Sequence, residues 1–240
     1  MNILAIDTST IAASVAVISE EKLLAEAYTD LKLKHSEKLL PLVDHILCDL
    51  RMNIDDIDAF AAGSGPGSFT GIRIGAASIK AFAHANNKPV IGISSLEACA
   101  FGQAYFPGHI CPIFDAQRDE VYTALFKFEE SCLTRLSEDS AVSIDKLIQF
   151  LKDKESILFC GDGLYKFKSF LSETLGQSAY FANKITSMPR ASSVGCLALS
   201  KLAKGEISDY KSFLPDYIRK PQIDQPQKRY EYINTKSVVK

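Results

Sequence analysis

Two aspartates stand at matching places in the chain, each at the end of a short apolar run. Asp7 closes the run over residues 2–7, and Asp115 closes the run over residues 110–115, 108 residues further along. Carboxylates at matched turns are typical of a cleft that holds a nucleotide or a metal–phosphate group between two halves of a protein. Either aspartate also suits a tight turn, because its side chain can bond nearby backbone N–H groups. The spacing alone leaves both interpretations open.

A glycine-rich segment, residues 63–71, follows a predicted strand and opens a predicted helix. Such a turn can direct backbone N–H groups at an anion. The segment lacks the Gly-Lys-Ser/Thr ending of a phosphate-binding P-loop, and a tight strand-to-helix connection needs the same glycines. A weaker motif, Gly161-Asp162-Gly163, also lies between a strand and a helix. In a duplicated nucleotide-binding fold its glycines would lie against an adenosine.

The sequence offers no constellation for metal or nucleophilic catalysis. Its four histidines form neither His-x-x-x-His nor His-Glu-x-x-His, and its six cysteines form no Cys-x-x-Cys pair. The Gly-x-Ser-x-Gly pattern of serine hydrolases is also missing. We therefore predict no catalytic residue and no metal site.

Composition and charge narrow the class of protein further. The 240 residues are 47% apolar and 23% charged, which is typical of a globular protein. A net charge of −2 gives no overall attraction to nucleic acid. Residues 219–240 carry six basic and two acidic side chains, a balance of +4. This composition predicts a weakly ordered tail, either simply solvated or acting as an arm for RNA or an acidic partner.

The cysteines and the hydrophobic runs indicate a compartment. Scattered cysteines inside apolar runs are typical of reduced core residues in a cytosolic protein. The first residues lack the basic region of a signal peptide, and no run of 18 apolar residues exists that could span a membrane. We therefore expect a cytoplasmic protein without a membrane partner.

The apolar pattern reads β-β-β-α-β-α-β in each half, which predicts a duplicated α/β unit with a cleft between its halves. In the first half the predicted strands are residues 2–7, 13–18, 22–29, 57–62 and 89–93, and the helices are 36–50, with Ser36 as N-cap, and 71–86. In the second half the strands are residues 110–114, 120–128, 132–136, 156–160 and 178–182, and the helices are 143–152 and 162–175. A last helix over residues 190–204 is predicted to pack back on the first half.

Helix 71–86 is apolar or small around nearly its whole circumference. Its long polar side chains, Arg73, Lys80 and His84, fall within about 40° of one another. An outer helix needs only one apolar face, toward its sheet, so a second surface should cover the rest. We predict a partner interface formed by Leu39, Val43, Ile46, Ile74, Ala77, Ser78, Ala81 and Ala85. The alternative is that helices 36–50 and 190–204 cover this face within the monomer.

Several motifs in a shared order resemble the TsaB (YeaZ) family. This family is a bacterial branch of the actin, sugar kinase and Hsp70 (ASKHA) superfamily that acts in synthesis of the tRNA modification threonylcarbamoyladenosine (t6A). The motifs are Ile6-Asp7-Thr8-Ser9-Thr10, residues 63–75, Ser94-Ser95-Leu96-Glu97, residues 115–122, Gly161-Asp162-Gly163 and residues 214–219. Gln117 departs from the pattern, because the family often has a basic residue there.

The resemblance implies the ASKHA fold, a duplicated α/β unit in two subdomains. The N-terminal subdomain would comprise residues 1–102 plus about 188–219, the C-terminal subdomain residues 103–187, and the basic tail residues 220–240. A vestigial nucleotide cleft would be lined by Asp7, Thr8, Ser9, Asp115, Arg118, Gly161, Asp162 and Gly163.

The resemblance also implies that the chain is an accessory subunit and not an enzyme. Ser95 and Cys99 would occupy the two histidine positions of the metal-binding His-x-x-x-His motif in the catalytic paralogue TsaD, and they do not replace two imidazoles as ligands. TsaD transfers threonylcarbamoyl to N6 of adenosine-37 in tRNAs that read ANN codons, and the chain would support and dimerise with it.

The same resemblance implies the other partners. The ATPase TsaE would join the complex, tRNA would bind only within it, and the chain would form a homodimer when alone. The chain would need no cofactor; ATP would enter only through the partner complex, with weak nucleotide binding by the chain itself.

Two other functions compete with this one. The first is an active ATPase or phosphotransferase of the same superfamily that uses Asp7 and Asp115. The second is a metallopeptidase, a label once attached to relatives of this fold, and the missing histidines disfavour it.

Overall fold

The structure of the protein is a computed structural model that describes residues 1–30, 35–130 and 132–219. The predicted basic tail, residues 220–240, lies outside the described residues. In the described part of the chain, no helix combines the length and apolarity needed to cross a membrane.

The first half forms a five-stranded sheet. Its strands are β1 (Asn2–Asp7), β2 (Ala13–Ser19), β3 (Leu23–Thr29), β4 (Ala59–Gly65) and β5 (Val90–Ser94), in the order β3-β2-β1-β4-β5. The first three strands make an antiparallel meander, as predicted, and β4 and β5 continue the sheet in parallel with β1. The predicted strand over residues 57–62 is displaced, because pairing with β1 begins at Ala59 and pairing with β5 extends to Gly65.

The second half repeats this arrangement with additional strands. These are β6 (His109–Asp115), β7 (Glu120–Thr123), β8 (Phe126–Glu129), β9 (Cys132–Arg135), β10 (Ser140–Ser143), β11 (Ile157–Cys160) and β12 (Ala179–Phe181). They follow the order β10-β7-β6-β11-β12, and β8 pairs with β6 and β9.

The prediction of one strand over residues 120–128 is wrong. The segment breaks at Leu125, whose N–H donates to Ser137 Oγ at 2.8 Å and whose carbonyl accepts from the N–H of Leu136 at 2.7 Å. These bonds take Leu125 out of the ladder with β6, and the following residues pair with the other end of that strand. The strand β10 was not predicted either, so the second half departs from the simple repeat.

The described residues form six α-helices: α1 (His35–Leu50), α2 (Phe69–Asn86), α3 (Ser95–Phe101), α4 (Ile144–Leu151), α5 (Leu164–Leu175) and α6 (Ala191–Ala203). All of the predicted helices are present, and α3 is an addition. Serine hydroxyls cap three of them, with Ser68 before α2, Ser94 before α3 and Ser143 before α4. The prediction of Ser36 as an N-cap is wrong, because α1 already begins at His35.

The first sheet is buried on both faces. Alternate residues of β1 point to opposite sides, so Leu4 and Ile6 join the core under α1 and α2, and Ile3 and Ala5 join the core under α6. The prediction that the last helix packs on the first half is confirmed. The added helix α3 packs its Leu96 and Cys99 with β6 and β8, and so links the two halves.

After α6 the chain continues as a segment without helix, residues 206–219, which we call the strap. Ser208 forms an antiparallel bridge with Val90, and Phe213 is buried in the core beneath α2. Gly92 allows this approach, because a Cβ at that position would lie 2.9 Å from the Phe213 ring. The strap thus lies along the first sheet, and we propose to count it with the N-terminal subdomain.

Removal of the Phe213 ring should detach the strap. We expect Phe213→Ala to lower the free energy of unfolding by about 3–5 kcal/mol, because it leaves a cavity in the first core. Leu214→Ala is the matched control, since its side chain is exposed, and should change stability by no more than about 0.5 kcal/mol. Urea unfolding measures both, and equal effects of the two variants would contradict this packing.

Candidate functional site

Asp7 is buried at the end of β1, and the chain itself satisfies its carboxylate. Oδ1 accepts from the Ser9 N–H at 3.0 Å and from Ser9 Oγ at 2.7 Å, and Oδ2 accepts from Ser95 Oγ at 3.1 Å. A Cβ at Gly63 would lie 2.0 Å from Asp7 Oδ2, so the neighbouring strand also closes over the group. Burial raises the pKa of Asp7, and the bonds from Ser9 and Ser95 offset part of the rise.

The turn after β1, residues 8–10, is buried against the start of α2. Thr8 Oγ1 donates to the Gly71 carbonyl at 2.8 Å, and the Ser68 N–H donates to the Ser9 carbonyl at 2.6 Å. A Cβ at Gly71 would lie 2.0 Å from the Thr8 carbonyl oxygen, which explains the glycine. The Gly71 N–H itself donates to Ser68 Oγ, so this N–H group is already hydrogen-bonded within the protein.

The glycine-rich segment therefore acts as a packing device. Of the two interpretations of residues 63–71, the tight connection has direct support, because Gly67 and Gly71 admit the backbone of the 8–10 turn. An anion facing Thr8 and Ser9 would have to displace these internal contacts.

The second half holds a more open counterpart. Asp115 ends β6, its Oδ1 accepts from the Gln117 N–H at 2.9 Å, and its own N–H donates to Asp162 Oδ1 at 3.1 Å. Burial raises the pKa of Asp162 to about 6; the bond from the Asp115 N–H lowers the pKa and the Asp115 charge raises it further. A carboxyl with this pKa can exchange a proton near neutral pH.

The glycines beside Asp162 lie against β6. A Cβ at Gly161 would lie 2.4 Å from the Ile113 carbonyl oxygen, and one at Gly163 would lie 2.8 Å from the same atom. The Gly163 N–H donates to that carbonyl at 3.0 Å. Internal packing thus explains both glycines, and their contact with an adenosine stays a prediction.

The turn between β6 and β7 is unusual, because Gln117, Arg118 and Asp119 all have left-handed φ angles of 66°, 53° and 60°. Three consecutive non-glycine residues in this region store backbone strain. The Asp119 carboxylate is fixed by Lys166 at 2.8 Å. Arg118 is exposed at the turn, where it stays a predicted anion contact.

Cys99 lies between the two halves of the site. Burial raises the pKa of its thiol, the neighbouring Cys160 raises it further, and the charges of Asp7 and Asp162 add to the rise. Its Sγ donates to the Ser187 carbonyl at 3.5 Å. Within the described ranges no three His, Cys, Asp or Glu side chains are arranged to hold a metal ion.

Sequence reasoning missed two contacts that shape the site. Ser95 supplies the third bond to Asp7 from 88 residues away. Arg135 joins the halves by pairing with Glu97 at 3.2 Å and with Asp139, which also accepts from Ser94 Oγ at 2.6 Å. No local pattern identifies either contact; for Ser95, the only signal was its place in the family motif.

The predicted interface divides into two sets. Leu39, Val43 and Ile46 are buried in the core between α1 and the sheet, so their assignment to a partner interface is wrong. On α2, Ala77, Ala81 and Ala85 are exposed, and Ile74 and Ser78 are half-buried. We call these five residues of α2 the alanine stripe.

The described part of the monomer leaves Ala77, Ala81 and Ala85 of the alanine stripe exposed, whereas Ile74 packs partly against the core that contains α1. The α1 helix shares a core with Phe82 and Ile74 of α2, and α6 lies on the opposite face of the sheet. The strap covers the polar flank, where Lys80 Nζ donates to the Phe213 carbonyl at 2.9 Å. The alternative that α1 and α6 cover this face is therefore wrong for Ala77, Ala81 and Ala85.

The raised pKa of Asp162 predicts a pH-dependent stability. Its ordinary pKa is 3.8 and its folded pKa is about 6, so its contribution is fully present below pH 3.8 and is lost as the pH rises toward 6. At neutral pH this loss of folding stability is on the order of 2–3 kcal/mol, and we expect Asp162→Asn to abolish it. Urea unfolding from pH 4 to 7 should show the variant gaining stability over the wild type. Asp145→Asn, at an exposed carboxylate, is the control, and parallel curves for Asp162→Asn and wild type would contradict the prediction.

Comparison with known proteins places this geometry in a family. The family model "TsaD: tRNA N6-adenosine threonylcarbamoyltransferase" matches residues 23–226. The Bacillus subtilis "tRNA threonylcarbamoyladenosine biosynthesis protein TsaB" is 34% identical over 220 residues, which cover 91% of this chain and 94% of that protein.

Comparison with solved structures supports the same family. A Pseudomonas aeruginosa protein described as having similarity to peptidase YEAZ superposes with a TM-score of 0.78 at 27% identity, over 91% of this chain and 99% of that one. Component A of Acidaminococcus fermentans (R)-2-hydroxyglutaryl-CoA dehydratase shares the fold alone, with a TM-score of 0.55 at 11% identity over 85% of this chain and 99% of that one. The expected ASKHA fold is thereby confirmed, and with the coverage by the family model and the B. subtilis relative, the chain belongs to the TsaB (YeaZ) family.

Proposed function

We propose that the protein is a non-catalytic subunit of the cytoplasmic machinery that makes t6A in tRNA, and that it supports and pairs with the TsaD paralogue. The observation that carries this proposal is the state of Asp7, whose carboxylate oxygens already accept three hydrogen bonds from Ser9 and Ser95. A catalytic carboxylate must contact its substrate or metal, and this one is enclosed by its own chain.

The two positions that correspond to metal ligands in TsaD support the same proposal. Ser95 donates its hydroxyl to Asp7, and Cys99 donates its thiol to the Ser187 carbonyl. Neither residue is available as a ligand. Threonylcarbamoyl transfer to adenosine-37 would therefore take place on the partner.

Nucleotide binding by this chain, if retained, belongs to the second half. There Asp115 is half-buried and Arg118 is exposed, in contrast to the buried residues 7–9. We propose weak binding at most, with ATP handled by the complex and TsaE, and tRNA bound only by the assembled complex.

Pairing would use the alanine stripe. Small side chains let the helices of a second protein approach α2 closely, and a matching pair of helices from a paralogue of this fold suits such a face. A homodimer through the same stripe is the expected state when the paralogue is absent.

Ala81→Glu tests this pairing, because Ala81 is exposed in the monomer and would be buried only in the complex. We expect the variant to fold normally and to show no measurable binding to purified TsaD from the same genome, since an unpaired buried charge costs several kcal/mol. Ala203→Glu, at an exposed alanine of α6, should bind like the wild type. If Ala81→Glu also retained wild-type affinity, the stripe would not be the interface.

The rival function, an independent ATPase or phosphotransferase, makes a different prediction. We expect calorimetry of the lone protein with ATP and Mg²⁺ to show binding weaker than micromolar and no turnover, because Asp7, Thr8 and Ser9 are engaged internally. Micromolar binding with turnover would favour the rival.

A further inference from the structure

The strap runs alongside α2 in the opposite direction and covers its polar flank. Near the end of the helix the His84 ring lies 4.5 Å from the Tyr210 ring. One turn earlier Lys80 binds the Phe213 carbonyl, and near the start of the helix Arg73 Nε donates to Tyr217 Oη at 3.1 Å. Tyr217 also packs on Phe69, with 5.0 Å between ring centroids. The strap and the alanine stripe are therefore neighbours along most of α2.

The strap is fixed at several points along its length. Ser208 and Val90 exchange two backbone bonds of 2.8 Å. The Asp216 N–H donates to the Ser64 carbonyl, and Ser64 Oγ donates to Asp216 Oδ2, both at 2.8 Å. Arg219 donates to the Ala116 carbonyl at 2.7 Å and pairs with Glu120 in the second half. These contacts hold the strap in place before any partner arrives.

Although it is fixed, the strap exposes large apolar side chains. Leu214 is 69% exposed, Tyr217 41% and Ile218 37%. Phe213 and Asp216 already anchor this part of the strap. The three exposed side chains therefore add little to the stability of the monomer. Such residues beside a second apolar surface are typical of an interaction site.

The alanine stripe alone is a poor interface. Stable complexes bury about 1,200–2,000 Å² and depend on a few large anchors, chiefly Trp, Tyr and Arg. Alanine methyl groups permit close approach but supply no such anchor. The strap supplies one such anchor in Tyr217, whose hydroxyl accepts a hydrogen bond from Arg73 Nε. Arg73 lies one helical turn from Ala77.

We infer that Leu214, Tyr217 and Ile218 of the strap form the second half of the docking surface, and that the helices of the catalytic paralogue pack against stripe and strap together. This inference rests on the proposed function. Because the strap is already ordered, docking does not incur the usual cost of immobilising a loop.

The experiment uses the full chain and purified TsaD, with affinity measured by calorimetry. We expect Leu214→Ser and Tyr217→Ser each to raise the Kd at least tenfold while the melting temperature changes by no more than a few degrees. The matched controls are Leu136→Ser and Tyr180→Ser. Leu136 is 46% exposed, and Tyr180 is 47% exposed and packs at a tilt against Phe106, as Tyr217 does against Phe69. These controls should leave the Kd within twofold.

Hydrogen exchange of the wild-type complex gives a second readout that does not depend on a variant's folding. The amides of Leu214 and of residues 216–218 should gain protection when TsaD binds, together with the exposed face of α2.

The possible outcomes distinguish a failure of this inference from a failure of the proposed function. If Ala81→Glu abolishes binding but both strap variants keep the wild-type Kd, the strap inference is overturned and the stripe remains. Normal binding by Ala81→Glu would instead reject the proposed interface as a whole. Strap variants that weaken only self-association would assign the strap to a second copy of this chain and also overturn the inference.

Discussion

The close contact between the 8–10 turn and the start of α2 determines the shape of the first half of the cleft and the orientation of α2. Gly71 brings the helix backbone so near Thr8 that a Cβ would lie 2.0 Å from its carbonyl oxygen. The contact fixes the turn that follows β1 and leaves the Asp7 carboxylate enclosed by Ser9 and Ser95. The same glycine-rich helix start orients α2, whose opposite side carries the exposed alanines. One packing constraint thus closes the first half of the cleft and presents a surface outside it.

The second half is less completely closed. Its counterpart of the 8–10 turn is exposed and strained at residues 117–119, and Asp162 has a pKa of about 6. Arg219 of the strap bonds the Ala116 carbonyl beside this turn. The strap therefore touches both the flank of α2 and the open half of the cleft. A partner seated on α2 would contact a segment that also holds the second half, which gives the two sites a physical connection.

Local pattern predicted much of the fold, and its failures have identifiable causes. Apolar alternation and spacing predicted the meander, α1, α2 and α6, because these elements bury one or both faces in the usual way. The break at Leu125 was missed because the residues stay apolar through it, and only the distant Ser137 removes the backbone from the ladder. Leu39, Val43 and Ile46 were assigned to a partner because apolar spacing identifies a buried face without saying what buries it. The position of Asp7 was predictable, but its saturation by Ser95 depends on a contact 88 residues away.

The acids of the cleft are expected to do no chemistry for the complex. The most direct measurement is the rate of t6A formation on tRNA by a complex reconstituted with the Asp7→Asn/Asp115→Asn variant of this chain, at saturating concentrations of every component. We expect a rate within about twofold of the wild-type complex, because the asparagine oxygens can still accept the bonds from Ser9 and from the Gln117 N–H. A folded, normally paired variant whose complex lost about a hundredfold or more in rate would contradict it.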